Sequence, residues 1–429
     1  MRLVRVWCVV LVSAVWGTGS WACGLEFVLP PLAENFLSGN DPDGVSEALL
    51  NDQGQEGLDA VLAAARTGDR IDRPEIREKI DRLAGQRDAW ASGLYWHRDF
   101  EEAKARAQAM GRPILSLRLL GRLDQDLSCA NSRFFRTALY ANQALATYLK
   151  DRFVLHWESV RPVPVMTIDF GDGRTMKRTI TGNSFHYVLD TRGRMVDVLP
   201  GLYGPTAFRG HLERAETFAL EQTGVEESAR YLEALRGFHQ SALAQMDLVE
   251  SSLLGPATVE VANTHKQPTA AAAADRLTVG KSDIEAPALQ ALLPRTTRDL
   301  ADTDPAWDQI AAHYAQDNKL DASGRGLFMA KENTAERVNR LTESKKFVED
   351  PAFAALRRFE VSLARDTAFN EHRLHRRLHD HVVARGAIGD LEVVTRYVYA
   401  ELSLPLSTTC GTGSIPPTLT PPSTDAANA

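Results

Sequence analysis

A single cysteine stands in the middle of the chain, in the Ser-Cys-Ala-Asn-Ser stretch at 128–132. A cysteine at the start of a helix can act as a nucleophile, because free backbone N–H groups and the helix dipole stabilise its thiolate. Ser132 occupies the position from which a second cysteine would close an internal disulfide. The chemistry open to Cys129 is therefore monothiol exchange, isomerisation or capture of a partner thiol. Arg133 or Arg136 would help to stabilise the thiolate.

Two other roles for Cys129 stay open. A free cysteine is often a buried core residue without chemistry of its own. A cysteine hydrolase would instead pair the thiol with a histidine, and His156 and His186 both lie in predicted strands. No sequence spacing fixes such a pairing.

A second set of chemically capable residues lies near the C-terminus, where Glu371 is followed by His372, His375, His379 and His381. Histidines four residues apart share a helix face, and two of them with a carboxylate can begin a zinc site. Three arginines lie within the same run and would repel a cation. We therefore predict a solvated basic helix face here, and neither a metal nor another cofactor for the chain.

Polar residues also fall on the apolar seam of the same predicted helix, which begins at Pro351 and ends near Gly386. Thr367 and Asn370 occupy seam positions, where a polar group needs a hydrogen-bond partner. Asp366 and Glu371 are their neighbours. The pattern predicts a buried hydrogen-bond network with another helix, and a ligand site is the alternative.

Helices and strands alternate around Cys129. Asp99 is a candidate N-cap, and the Asp-Thr-Arg-Gly stretch at 190–193 predicts a hairpin turn. An insertion at 158–180 contains Asp169 and Asp172, which are too few ligands for a calcium loop and indicate a hairpin tip. The predicted elements are helix 101–110, strand 114–120, helix 134–149, strand 153–157, strand 184–189, strand 195–199 and helix 206–221.

This order of elements resembles the thioredoxin superfamily, in particular its exported or DUF255-like branches. The segments at 99–103, 112–115, 152–154 and 188–190 carry the resemblance as well. The resemblance covers residues 91–221. It implies an α/β fold in which helices flank a central mixed sheet and Cys129 begins the helix after the first long strand. It also implies a catalytic role for Cys129 with Ser132.

The resemblance further implies that Asn131, Asn183 and Ser184 contact a thiol-containing partner protein. Two features of the family are absent. The motif reads C-x-x-S, and no proline precedes the strand at 185–189, where the family has a cis-proline beside the cysteine. Two functions follow: thiol–disulfide exchange through Cys129, or a non-enzymatic binding or scaffold protein with a degenerate thioredoxin-like domain.

The N-terminus predicts export to the periplasm or the extracellular space. Arg2 and Arg5 precede an apolar segment at 6–15, and small residues at 20 and 22 suit a signal peptidase. The net charge of −7 argues against a general nucleic-acid binder. After residue 22, no segment is apolar for long enough to span a bilayer.

Removal of residues 1–22 leaves three cysteines in the chain, which are Cys23, Cys129 and Cys410. The two terminal cysteines could form a disulfide, and all three thiols could equally stay unpaired. A lipid anchor on Cys23 is an alternative, although Ser20 and Trp21 differ from the aliphatic and small residues of lipoprotein signals.

The 429 residues are enough for several regions. The region 23–90 is predicted to be helical with a packing role, and the tail rich in proline, serine and threonine is predicted to be disordered. The boundaries are 1–22 for the signal peptide, 23–90 for the helical N-terminal region, 91–221 for the thioredoxin-like domain, 222–345 for a helical and linker region, 346–404 for the C-terminal helical region, and 405–429 for the tail.

Overall fold

A mixed four-stranded sheet flanked by helices forms the centre of the computed structural model. Its strand order is β2-β1-β5-β6, in which β1 pairs parallel to β2 and antiparallel to β5, and β5 pairs antiparallel to β6. The remaining two strands form a separate hairpin. The strands are β1 (Ile114–Leu120), β2 (Val154–Arg161), β3 (Val165–Asp169), β4 (Thr175–Thr179), β5 (Ser184–Leu189) and β6 (Met195–Pro200).

The structure describes residues 22–41, 43–169, 171–173, 175–179, 184–226, 229–254, 305–332, 351–385 and 391–399. The predicted signal peptide up to residue 21, Asn183, Cys410 and the tail lie outside these residues, and so does the side chain of Cys23. Among the described residues, no helix has both the length and the apolar composition needed to cross a bilayer.

Helices surround the sheet and form the N-terminal and C-terminal regions. Those before the sheet are α1 (Ala22–Ser38), α2 (Val45–Gln53), α3 (Gln55–Arg66), α4 (Pro74–Ala84), α5 (Ala89–Ser92) and α6 (Phe100–Met110). Those after β1 are α7 (Ala130–Phe134), α8 (Gln143–Arg152), α9 (Pro205–Glu221), α10 (Ala229–Leu254), α11 (Pro305–Tyr314), α12 (Ala322–Glu332), α13 (Pro351–Phe369), α14 (Arg376–Arg385) and α15 (Leu391–Tyr397).

The sequence patterns around the sheet are confirmed at several boundaries. The Asp99 side chain accepts a hydrogen bond from the Glu102 N–H at 2.8 Å and so caps α6. The hairpin between β5 and β6 turns at Gly193, whose φ of 83° suits glycine. Every residue of β1 is buried, which agrees with a central strand covered on both faces.

The helix predicted at 134–149 is interrupted. After α7, residues Phe135–Tyr140 form a wider π-helical turn. A new helix then begins at Asn142, whose side chain accepts from the Leu145 N–H at 2.9 Å. The periodicity of the apolar residues was a correct indication of helix, but the N-cap at Asn142 starts a separate helix, α8.

The C-terminal helix is continuous from Pro351 to Arg385, with a second π-helical turn at Asn370–His375 between α13 and α14. Phe359 stacks on Phe134 of α7, with ring centroids 4.9 Å apart. The predicted long helix is therefore confirmed, and it packs against the helix that follows Cys129.

The prediction of a solvated basic face on this helix is wrong. The side chains of His372, His375 and His379 are all buried. The helix lies between β6, α10 and α11, so the face carrying these histidines contacts protein instead of water. The arginines lie at the edge of this face, where Arg376 pairs with Asp247 at 2.8 Å.

The N-terminal helices have a core of their own. Leu58, Val61 and Leu62 of α3 pack with Ile80 and Leu83 of α4, and these side chains are buried. This agrees with the helical spacing in the sequence and with a packing role for the region.

Candidate functional site

Cys129 lies at the N-cap of α7, at the end of the loop that leaves β1. Its backbone N–H donates to the carbonyl of Leu120 at 3.1 Å, which fixes the cysteine against the last residue of that strand. Its φ and ψ of −62° and 158° are extended, as expected of an N-cap residue. The loop that follows the first long strand therefore ends at the cysteine, and a backbone hydrogen bond ties the cysteine to the end of that strand.

The thiol of Cys129 is enclosed and has no exposed surface. Its Sγ lies 2.7 Å from the Oγ of Ser184 and 3.4 Å from the Oγ of Ser132. The Ser132 hydroxyl also donates to the Cys129 carbonyl at 2.8 Å. Two of the predicted site residues therefore do meet the thiol, and they do so inside the core.

Two tyrosine side chains interact electrostatically with Cys129. Burial raises the pKa of Tyr140 well above its usual value, and the interaction with Cys129 adds to that effect. Burial also raises the pKa of Tyr399, and Tyr187 and Cys129 add to that effect. Tyr399 itself packs on Phe185 of β5, with ring centroids 5.0 Å apart.

The other residues predicted to act with Cys129 have different contacts. Asn131 is buried in the first turn of α7. Arg133 donates to the carbonyl of Ser128 at 2.7 Å, and Arg136 donates to the carbonyl of Gln125 at 3.3 Å.

The two candidate histidines of a cysteine hydrolase bond to hydroxyl groups. His156 Nδ1 lies 2.8 Å from the Ser116 hydroxyl, and His186 Nε2 lies 2.7 Å from the Tyr140 hydroxyl. Burial lowers the pKa of each ring to about 3, so both are neutral in the folded protein.

A second group of polar side chains lies buried between β6 and three helices. We call it the histidine–carboxylate cluster. It draws residues from β6, α9, α10 and the C-terminal helix, and each is at most 7% exposed. Its members are Asp197, His211, His239, Glu371, His375 and His379.

His375 is the centre of the cluster. Its Nε2 lies 2.8 Å from Asp197 Oδ1, and its Nδ1 lies 3.2 Å from Glu371 Oε2. Burial by itself lowers the pKa of His375, but the two carboxylates outweigh this and raise it to about 9. Burial likewise opposes ionisation of Asp197, yet His375 lowers the pKa of that carboxyl below its ordinary value. The structure thus holds an imidazolium between two carboxylates.

Glu371 has a second histidine partner. His211 Nε2 lies 2.8 Å from the same Oε2 atom that faces His375. On the other side of the His211 ring, Arg214 donates to Nδ1 at 2.6 Å. Burial lowers the pKa of His211, and Glu371 opposes that shift. With Nδ1 accepting from the arginine, the Nε2 of His211 carries the proton and donates it to Glu371.

His239 and His379 form a pair beside His375. Their Nδ1 atoms are 2.6 Å apart, and the His379 ring lies 4.0 Å from the His375 ring between centroids. Among the described residues, the Nε2 atoms of His239 and His379 lack a hydrogen-bond partner of normal geometry. Burial lowers the pKa of His239 to about 4, although Asp197 and the Val196 carbonyl favour protonation. Burial also lowers the pKa of His379 well below its usual value, as does His375.

The polar residues on the helix seam are satisfied, as their positions predicted. The Thr367 hydroxyl accepts from the Gly204 N–H at 2.9 Å and donates to the Leu363 carbonyl at 2.7 Å. Asn370 donates to the carbonyl of Leu202 at 2.7 Å. The partners lie mainly in the loop before α9 and not on another helix.

Sequence reasoning missed three members of the histidine–carboxylate cluster: Asp197, His211 and His239. A signal existed for Asp197, which is the only charged residue in the strand Met-Val-Asp-Val-Leu-Pro. A carboxylate inside a fully buried strand requires a positive or hydrogen-bonding partner. No comparable signal marks His211 or His239, which occupy ordinary amphipathic helices.

Comparisons with known proteins give no relative: the chain matches no protein-family model, no curated protein and no solved structure.

Proposed function

We propose that this chain is an exported, non-enzymatic binding or scaffold protein whose degenerate thioredoxin-like domain carries a helical C-terminal region. The observation that supports the proposal is the complete enclosure of Cys129. A thiol must be reached by its partner to exchange disulfides. Cys129 instead contacts two serine hydroxyls inside the core, as a structural residue does.

The packing of the C-terminal region supports the same function. Phe359 covers the helix that follows the cysteine, and the Tyr399 hydroxyl donates to the Arg118 carbonyl of β1 at 3.1 Å. In a thioredoxin-like exchange protein, the partner chain would need access to the helix that follows the cysteine, which Phe359 contacts here. Here the chain's own helices use that surface for packing.

The test is the pH dependence of Cys129 alkylation in the folded mature protein, with Cys23 and Cys410 replaced by serine. We expect no labelling until the protein is unfolded. A matched control moves the thiol to the exposed hairpin tip: Asp172→Cys in a background in which all three cysteines are serine should label at once.

Two outcomes would instead support thiol–disulfide exchange. One is labelling of folded protein with a midpoint well below the roughly 8.5 of free cysteine. The other is a mixed disulfide at Cys129 trapped with Ser132 intact. Either result would remove the non-enzymatic proposal.

A further inference from the structure

The histidine–carboxylate cluster has no part in the proposed function, yet its atoms are arranged as ligands. Asp197, His375 and His379 each present one donor atom, and the three atoms lie within 4.8 Å of one another. Imidazole nitrogen and carboxylate oxygen both bind zinc, at about 2.0–2.2 Å. Small side-chain movements would therefore bring the three donors to a common centre.

A candidate fourth donor lies beside His379. His239 of α10 contacts His379 through the two Nδ1 atoms at 2.6 Å. In such a contact only one ring can donate, and the Nε2 atom of His379 is buried without a hydrogen-bond partner among the described residues. An unsatisfied buried polar atom costs free energy, and coordination of a cation by both imidazole rings would use their lone pairs.

Glu371 stands where an outer partner of a metal ligand is expected. A metal-bound histidine usually donates its other ring N–H to a carboxylate, which fixes the ring orientation. His375 has this arrangement, since Asp197 lies at Nε2 and Glu371 at Nδ1. His211 contacts Glu371 at 2.8 Å, and Arg214 donates to the other nitrogen of His211 at 2.6 Å. These two contacts fix the position of Glu371 beside His375.

The charge of the cluster also suits a cation. Two buried carboxylates face a single imidazole ring placed between them. Buried carboxylates are costly unless positive charge is placed beside them. A divalent ion supplies two positive charges to two carboxylates, and His375 would bind it through Nε2 as a neutral imidazole that has released the Nε2 proton.

We propose that Asp197, His239, His375 and His379 bind one divalent transition-metal ion of the zinc class, with Glu371 orienting His375 from the outer shell. All four ligands are at most 2% exposed, so no open position faces solvent. Closed four-ligand zinc sites are structural, whereas catalytic sites keep a position for water or substrate. The ion fastens the C-terminal helix to β6 and α10.

The experiment uses untagged, full-length mature protein that has been stripped with a chelator and titrated with zinc. Metal content and calorimetry should give one zinc per chain. Asp197→Asn and His379→Gln remove ligands, and we expect them to weaken binding more than Glu371→Gln does. The outer-shell variant should cost about 10- to 100-fold in affinity.

His372→Gln is the matched control, because His372 lies on the same helix and is equally buried. Its ring contacts Glu250 at 2.8 Å and Tyr314 at 3.0 Å, away from the cluster. We expect its zinc affinity to equal that of the parent protein. Absence of stoichiometric zinc in the folded parent, or equal affinity in all four variants, would overturn the proposal.

X-ray absorption of the zinc-loaded parent protein tests the site without any substitution, in case a ligand variant does not fold. We expect only nitrogen and oxygen neighbours at about 2.0–2.2 Å, with imidazole scattering. A sulfur neighbour at about 2.3 Å would place the ion at a cysteine and contradict the assignment.

Discussion

The Cys129 region and the histidine–carboxylate cluster are both buried and polar, but they differ in charge. The thiol meets neutral hydroxyl groups of Ser132 and Ser184, which a core can hold at little cost. The cluster contains two ionised carboxylates around an imidazolium. Burying such charges is expensive, so their presence requires a compensating interaction.

The comparison shows that two arguments single out different parts of the molecule. The resemblance to the thioredoxin superfamily singles out Cys129, whereas the free-energy cost of burying charge singles out the histidine–carboxylate cluster. The resemblance rests on the order of elements around the cysteine, which describes a fold more than a reaction. The cluster follows no motif, but its buried charges are unusual for an inert core. The three predictions below test this difference.

The largest effect is expected when one charge of the cluster is removed without a change of shape. Asp197→Asn leaves His375 without the closer of its two carboxylates. Breaking a buried ion pair in this way costs about 3–5 kcal/mol. Urea denaturation of the chelator-treated, metal-free protein measures the loss in the free energy of unfolding.

The control for that prediction is an exposed ion pair. Glu213→Gln on α9 breaks a pair with Arg209 whose two side chains are 50% and 45% exposed. Such a pair contributes about 0–1 kcal/mol. A loss for Asp197→Asn no larger than for Glu213→Gln would mean that the cluster is not charged in the folded protein.

A smaller effect is expected at the cysteine. Cys129→Ala leaves the buried Ser184 hydroxyl without its thiol partner, at a cost of about 1–3 kcal/mol. Cys129→Ser keeps a polar hydrogen beside Ser184 and should lose less. Thermal or urea unfolding gives both values. Zinc affinity should stay unchanged in both variants, and a change would mean that the two regions are coupled.

The smallest effect is a pH dependence in the thiol region. The pKa of His186 falls from about 6.5 to about 3 on folding, because the ring is buried beside Tyr140. Between these values the unfolded chain binds a proton that the folded chain does not. The free energy of unfolding therefore decreases as the pH falls below 6.5, by about 1 kcal/mol between pH 6.5 and 5.5.

His186→Gln should remove that contribution, because glutamine has no proton to bind in this range. The measurement is the difference in unfolding free energy between the parent and His186→Gln at the two pH values. A constant difference would show that folding does not lower the pKa of His186. His156, with its pKa also lowered to about 3, contributes equally to both proteins.

Much of the α/β region was predictable, because local signals act there. The alternating and apolar runs located β1 and β5 at their observed bounds, and Asp99 and Gly193 marked a helix start and a hairpin turn. The extension of β2 to Arg161 was missed. Its outer residues are exposed, and their strand conformation depends on pairing with β1, which sequence periodicity cannot show.

The candidate site was less predictable. The contact between Cys129 and Ser184 joins residues 55 positions apart, and the resemblance named both of them. The contact between His239 and His379 joins residues 140 positions apart, and no motif connects them. The helical spacing of His375 and His379 was recognised, but whether that face meets water or protein depends on how α10 and β6 pack against it.

The π-helical turn at Asn370–His375 determines how the geometry of the cluster would respond to a change in the number of residues in the helix. A π-helical turn bonds each residue to the fifth one along instead of the fourth, and so accommodates one extra residue. Deletion of a single residue there would restore an ordinary helix and leave the later residues, including His379, on nearly the same face. A deletion between His375 and His379 has no wider turn to absorb it, and it would rotate His379 by about 100° out of the cluster. A homologous protein could therefore lack one residue of the π-helical turn and still present His379 to the cluster, whereas one that lacks a residue at the start of α14 could not.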